Sequence, residues 1–246
     1  MLVSFVKGRP ALLIRKERAL VVGDLHIGMH LKLREKGFYF QRATERMAES
    51  LLETYKEAKA RRLVLLGDVK ESIGSPKFAE YRELKTFFES IAGADTCVVR
   101  GNHDGGIGRV LSNMGFKIPV ESEMIIGGVA LTHGNSWPSS AAMMERYVVV
   151  GHGHYALRNN DSLEKIWIVS KVTAKASKKY ARYNRAVKLV AAPSFNSLIT
   201  GSALSPKTKL YLPMFKNDVF EFGKADVYGM DGSLIGRVKD LMSADM

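Results

Sequence analysis

A single cysteine, Cys97, stands among 246 residues, which excludes an intrachain disulfide and makes a reducing cytoplasm the expected location. It lies in the apolar run TCVVR, where a thiol acts as a small buried hydrophobe rather than a reactive group. No apolar run approaches bilayer length, and Lys7, Gly8, Arg9 and Pro10 break the N-terminal MLVSFVKGRP before a signal-peptide core can form. Secretion and a membrane partner are therefore not expected. Acidic residues are missing between Lys165 and Lys216, a stretch with eleven Lys or Arg residues, so nearly all of the net charge of +12 resides there. Repeats, low-complexity tracts and linkers are lacking as well. With 46% hydrophobic residues the chain has enough apolar material for one domain spanning 1–246.

Histidine is also scarce, at six residues, yet five of the six fall at one kind of place. Five apolar, strand-type runs end in metal-seeking side chains: ALVVGDLH in Asp24 and His26, RLVLLGD in Asp68, CVVRGNHD in Asn102, His103 and Asp104, VALTHGN in His133, and YVVVGHGH in His152 and His154. In open α/β sheets the ligand site lies outside the carboxyl ends of the strands. Side chains two apart on an extended segment share a face, so Asp24 with His26, and His152 with His154, each read as a chelating pair serving one centre. Adding Asp68, Asn102 and His133 gives seven oxygen or imidazole donors. That is too many for one tetrahedral zinc and suits two metals sharing a carboxylate. Alone, Asp24 or Asp68 reads as a helix cap and Gly101-Asn102 as a turn; the ordered series of five is what carries the metal reading. His30, four residues after His26, mimics a zincin pair, but Ile27 stands where such a pair needs Glu, so His30 reads as cleft-lining or structural.

The first two-thirds of the chain alternates β and α signals. Strands are expected at 20–22, 63–66 and 96–99, helices at 40–60 and from Ser75-Pro76 to about 91, then short strands at 124–126, 129–131 and 147–150. Beyond His154 the segments 165–172, 185–191, 209–213 and 219–222 read as β. The pattern predicts two packed sheets flanked by helices, with the later strands forming the second sheet.

GDLHIG, GDVKES, GNHDGG, THGN and GHGHYA, in this order from Gly23 to Ala156, resemble the five motifs of the calcineurin-like binuclear metallophosphoesterases. The resemblance implies an α/β fold, a four-layer αββα sandwich of two mixed β-sheets flanked by helices. It also implies two divalent ions, the first held by Asp24, His26 and His154, the second by Asn102, His133 and His152, with Asp68 between them. His103 would protonate the leaving alkoxide and Asp104 would orient its imidazole. Within the family the chain is most similar to archaeal SbcD-related and bacterial DNA-ligase-associated phosphoesterases, through Lys70 in GDVKES and through AAPSFNSLITGSAL. Lys70 and Glu71 stand where many relatives carry an acidic residue or Asn. The length leaves no room for the capping domain of the SbcD nucleases, so processive exonuclease action is not among the expectations.

The expected activity is a metal-dependent phosphodiesterase acting on nucleic acid, a DNA nuclease or end-processing enzyme. The alternatives are a small-molecule phosphomonoesterase or (cyclic) nucleotide phosphodiesterase, and a nucleic-acid-binding repair module with a vestigial site. Manganese is the foremost metal, with Fe, Zn, Co and Ni compatible with the donors. In the acid-free stretch Lys178, Lys179, Arg182 and Arg185 are the candidate phosphate contacts, and Trp167, Tyr180, Tyr183, Phe195, Tyr211 and Phe215 are interspersed. The bland reading makes these cations a solvated rim and the aromatics core. A DNA-repair protein and a second copy of the chain are the partners in view beside the nucleic acid.

Overall fold

In the computed structural model, which describes residues 2–160 and 162–244, the runs that end in chemistry-bearing residues become central strands of two stacked sheets. The first sheet lies in the order β1 (Val3–Phe5), β2 (Leu12–Ile14), β3 (Ala19–Gly23), β4 (Arg62–Leu66), β5 (Asp95–Val99) and β6 (Val120–Glu121). Its first three strands form an antiparallel meander and β3 to β6 run parallel. Helices α1 (Met29–Glu35), α2 (Ala43–Glu57), α3 (Phe78–Ser90) and α4 (Ile107–Asn113) make the crossovers. The chain continues through β7 (Met124–Ile126), β8 (Val129–Leu131) and β9 (Tyr147–Val150) into a hairpin of β10 (Tyr155–Asn159) and β11 (Ser162–Lys165). It closes with β12 (Trp167–Lys171), β13 (Lys188–Ala191), β14 (Ser202–Ala203), α5 (Pro213–Lys216), β15 (Asp226–Tyr228), β16 (Leu234–Arg237) and α6 (Val238–Ala244). The second sheet has the order β16-β15-β12-β13-β9-β8-β7, and β14 joins the hairpin in a small third sheet.

Strands buried on both faces read as unbroken apolar runs, and their alternation divides the core. Ala19, Val21, Val64, Leu66, Cys97 and Val99 point toward Val129, Leu131, Val149, Trp167 and Val190 of the second sheet. Their neighbours Leu20, Val22, Leu63, Leu65 and Val98 point the other way, onto Leu51 of α2, Leu84 and Phe87 of α3, and Leu111 of α4. Each Val, Leu or Phe among them contributes roughly 1.5–3 kcal/mol by leaving water. Cys97 sits in this inter-sheet layer, where burial pushes its thiol up to about 11, an inert setting. The outer face of the second sheet is covered by short helices and packed loops carrying Met143, Tyr180, Phe215 and Phe220. The layers are therefore αββα.

Two expectations change. The second sheet combines three strands from the middle of the chain with the later ones, and 209–213 and 219–222 are not strands: Pro213–Lys216 is helical and Phe220 makes only an isolated bridge to Val172. Leu212, Phe215, Val219 and Phe220 are apolar because they cover the outer sheet face, and a short apolar run does not by itself distinguish that role from a strand. Among the described residues no helix is long and apolar enough to cross a membrane.

Candidate metal centre

Register aligns the strand ends. Gly23 pairs with Leu66 and Leu66 with Val99, so the segments bearing Asp24, Asp68 and His103 leave the first sheet side by side. In the second sheet Leu131 pairs with Val149, which brings out His133 and His152 together. The backbone then turns sharply: Asp24 (φ 56°), His26 (φ 43°), Asp68 (φ 48°), His152 (φ 63°) and His154 (φ 42°) all adopt the left-handed region. For residues with a Cβ this conformation costs on the order of 1–3 kcal/mol each and persists where the surroundings over-determine it. The chelating pairs are thus not arranged along extended strands. Asp24, His26 and His154 can bring one donor atom each within 4.8 Å of one another, and so can Asp68, His133 and His152, so His152 and His154 face different groups.

Close packing fixes the loops. Gly67 has φ 74°, and a Cβ there would collide with the His133 ring; one at Gly151 would lie 2.5 Å from Asp24 Oδ2. The His152 N–H donates to the Asp24 carboxylate at 3.2 Å, and His154 Nε2 lies 3.0 Å from Asp24 Oδ1. Asp68 stands between the two groups, its Oδ2 3.6 Å from His26 Nε2 and 3.2 Å from His133 Nε2, while its Oδ1 accepts the His103 N–H at 2.8 Å. Burial alone would raise both carboxyls, but the surrounding imidazoles outweigh it and hold them below the ordinary carboxylate range. Burial beside His133 pushes His152 down to about 4, leaving a neutral imidazole near neutral pH. Nε2 of His26, His133 and His154 is buried and faces only the carboxylates of Asp24 and Asp68, imidazole and carboxylate donors turned toward one another as around an ion. The donor set, all oxygen and imidazole, fits two divalent ions. Asn102 is exposed, one residue before His103.

A layer of charged residues orients these groups. Glu71, buried and unforeseen as a site residue, accepts from His26 Nδ1 at 2.8 Å and from Lys32 Nζ at 2.6 Å. Its backbone carbonyl accepts from His103 Nδ1 at 2.5 Å. Glu71→Gln is expected to weaken metal affinity roughly 10- to 100-fold, the usual effect of losing a carboxylate behind a ligating histidine; competition against a chelating dye measures it, and wild-type affinity would remove Glu71 from the site. Ser194 Oγ and Asn196 Nδ2 donate to the Asp24 and Leu25 carbonyls at 2.8 and 2.7 Å, and Lys165 Nζ ties down the same segment through the Ser194 and Asn196 carbonyls.

Asp104 is where the expected role changes. Its oxygens accept backbone N–H groups of Gly101 (2.8 Å), Val69 (2.9 Å) and Lys70 (3.3 Å), so it fixes the loops around His103 and does not touch the imidazole. His30 lies 3.6 Å from Glu83 and belongs to none of the converging donor groups. The acid-free stretch divides. Trp167, Tyr180, Phe195 and Phe215 are buried core, and Lys178, Lys179, Arg182 and Arg185 are exposed. Arg182 and Arg185 precede β13, whose first residue Lys188 pairs with Tyr147 at the start of β9, whereas the ligand loops leave the other end of β9. These two arginines therefore sit at the far end of the sheet, about 13 Å of strand away. Lys179 is engaged over the Trp137 ring at 4.5 Å. Besides Lys165, Ser194 and Asn196 beneath the Asp24 loop, the stretch brings Tyr211 to the site, its ring 6.2 Å from that of His152, with Lys209 Nζ 5.3 Å from the Tyr211 centroid.

A family model described as the calcineurin-like phosphoesterase superfamily domain matches residues 18–183. Among solved structures, the nuclease MPE of Pseudomonas putida is similar over 93% of this chain and 92% of its own, at 17% identity and a TM-score of 0.61, a likeness that speaks for the fold. The E. coli phosphoesterase Yfce is similar over 89% of this chain and 97% of its own, at 16% identity and a TM-score of 0.43. No curated protein matches the sequence.

Proposed function

This chain belongs to the calcineurin-like phosphoesterase superfamily, and on that premise we propose that it is a phosphodiesterase acting on nucleic acid, of the DNA nuclease or end-processing type. The observation that carries the reading is the convergence of two buried carboxylates with buried imidazole nitrogens in two groups, Asp68 lying within 3.6 Å of a histidine nitrogen of each. Members of the family use a binuclear divalent centre. Here Asp24, His26 and His154 would hold one ion and Asn102, His133 and His152 the other, with Asp68 available to both, and manganese is the foremost metal. Bound there, such ions supply a nucleophile from water at neutral pH and neutralise charge on the phosphoryl oxygens.

The chain's own residues do the rest. His103 donates Nδ1–H to the Glu71 carbonyl, which leaves Nε2 as the atom that passes a proton to the departing alkoxide. Lys70 Nζ grips the His103 carbonyl and Asp68 takes the His103 N–H, so the residue is fixed along its backbone as well as at its ring. Lys209 and Tyr211 beside His152 supply a cation and an aromatic face suited to a nucleotide.

Metal-loaded protein should hydrolyse a bis-aryl phosphate faster than a mono-aryl phosphate and should cleave DNA or RNA. A strong monoester preference with no cleavage of any nucleic acid makes it a small-molecule phosphomonoesterase instead. Metal loading should also depend on pH. Burial opposes charge on His26 and His133, but Glu71, Asp24 and Asp68 around the first, and Asp68 and Asp24 around the second, outweigh it and keep both protonated to higher pH than a free imidazole. A ligating imidazole is neutral, so ions and protons compete. Apparent Mn2+ affinity by calorimetric titration should strengthen from about pH 6 to about pH 8; a flat profile contradicts ligation by these histidines.

A further inference from the structure

From the last two residues of α1 to the start of α2 the chain reads Arg34-Glu35-Lys36-Gly37-Phe38-Tyr39-Phe40-Gln41-Arg42 with every residue exposed. Phe38 is 60% exposed, Tyr39 78% and Phe40 41%, three consecutive aromatics that the core does not use. Tyr39 and Phe40 line a cavity of about 270 Å³ with Arg46, Met47, Phe195 and Asn196. Its floor is part of the metal centre's scaffold: the Phe195 N–H donates to the Gly23 carbonyl at 2.9 Å, and Asn196 Nδ2 to the carbonyl of Leu25, the residue between Asp24 and His26. Among the described residues no carboxylate lies within 4.0 Å of the cationic ends of Arg34, Lys36 or Arg46, whereas Arg42 is paired with Glu49.

We propose that this cavity is a nucleobase subsite, taking an unpaired nucleotide that flanks the scissile phosphate. The inference rests on the nucleic-acid reading above and narrows it to single strands and frayed ends. Exposed aromatic rings beside uncompensated cations are the combination that binds single-stranded nucleic acid, the rings by stacking and the cations along the backbone. A duplex keeps its base faces covered and offers the rings nothing to stack on. The asparagine that lines the cavity has its amide occupied at both ends, by the Leu25 carbonyl and by the Leu198 N–H at 2.9 Å, so it does not read a base edge. Stacking and charge then supply most of the affinity, and any choice among bases falls to Gln41, Ser50 and Ser197, which also line the cavity.

Fluorescence anisotropy of the full chain with labelled 12-nucleotide single strands and duplexes of DNA and RNA, in a chelator so that nothing is hydrolysed, tests the subsite apart from catalysis. The wild type should bind single strands more tightly than duplex. Tyr39→Ala and Phe40→Ala should each weaken single-strand binding about fivefold or more, the lower end for a base stacked on an aromatic ring. Tyr39→Phe should restore it, and Arg46→Ala should lower the slope of log affinity against log salt by about 0.7. Wild-type affinity in both alanine variants, or no single-strand binding by the wild type, overturns the subsite. So does a change in oligomeric state by light scattering without a change in binding, which would make the aromatics a protein-docking surface. Cleavage by the metal-loaded wild type, measured separately, decides the nucleic-acid reading itself.

Discussion

Asp68→Asn is expected to reduce turnover of a phosphodiester on the order of a thousandfold and to leave the purified protein with fewer than two bound divalent ions. The substitution keeps the shape and removes one negative charge from the point where the two donor groups meet. Asp68 Oδ2 is 3.6 Å from His26 Nε2 and 3.2 Å from His133 Nε2, so one amide orientation turns N–H groups toward those rings and the other breaks the acceptor for the His103 N–H. Steady-state kinetics with metal analysis on the same preparation checks it. Full activity with two ions would refute a shared role for Asp68.

The second large effect concerns stability. Lys70 is fully buried, and the three N–H groups of its ammonium are shared among the carbonyls of Ser72, Ile73 (3.2 Å), Gly74 (2.8 Å) and His103. Lys70→Met keeps the length of the side chain and strands all four acceptors. Removing one side of a buried charged network costs about 3–5 kcal/mol, which for a chain of this size lowers Tm by roughly 6–20 °C. Lys70→Arg is not expected to rescue, because a planar guanidinium does not fit a cage closed around a compact ammonium. Thermal melts measure the loss. Since the cage bonds His103 and no metal-ligand side chain, kcat should fall further in Lys70→Met than metal content does, and a melt unchanged from wild type would show the carbonyls finding other partners.

The strand-end series locates the chemistry because it reports two things at once: an apolar run long enough to cross a sheet, and a polar side chain at the point where the run stops. Register then does what the sequence implies, lining up Gly23, Leu66 and Val99. The split between His152 and His154 follows from the family's motifs and not from spacing, because a period-two argument assumes extended backbone and these residues are left-handed. In the sequence Glu71 stands out only as a departure from relatives; its bond to His26 joins residues 45 apart, beyond any local pattern. Lys178, Lys179, Arg182 and Arg185 stand out because charge is dense around them, and density along the chain carries no information about which end of a strand a residue occupies. Phe38, Tyr39 and Phe40 are inconspicuous for the opposite reason, since an aromatic triplet before a helix reads as core.

The left-handed backbone at Asp24, His26, Asp68, His152 and His154 also bears on how the protein can change. Glycine would adopt each of these conformations without strain, and asparagine tolerates them better than an apolar residue would. The fold alone would therefore accept, and in places prefer, side chains that hold no ion. A lineage released from the need for catalysis would drift toward a sturdier, inert relative by way of these five positions, and a laboratory selection for heat resistance alone should discard the chemistry there first.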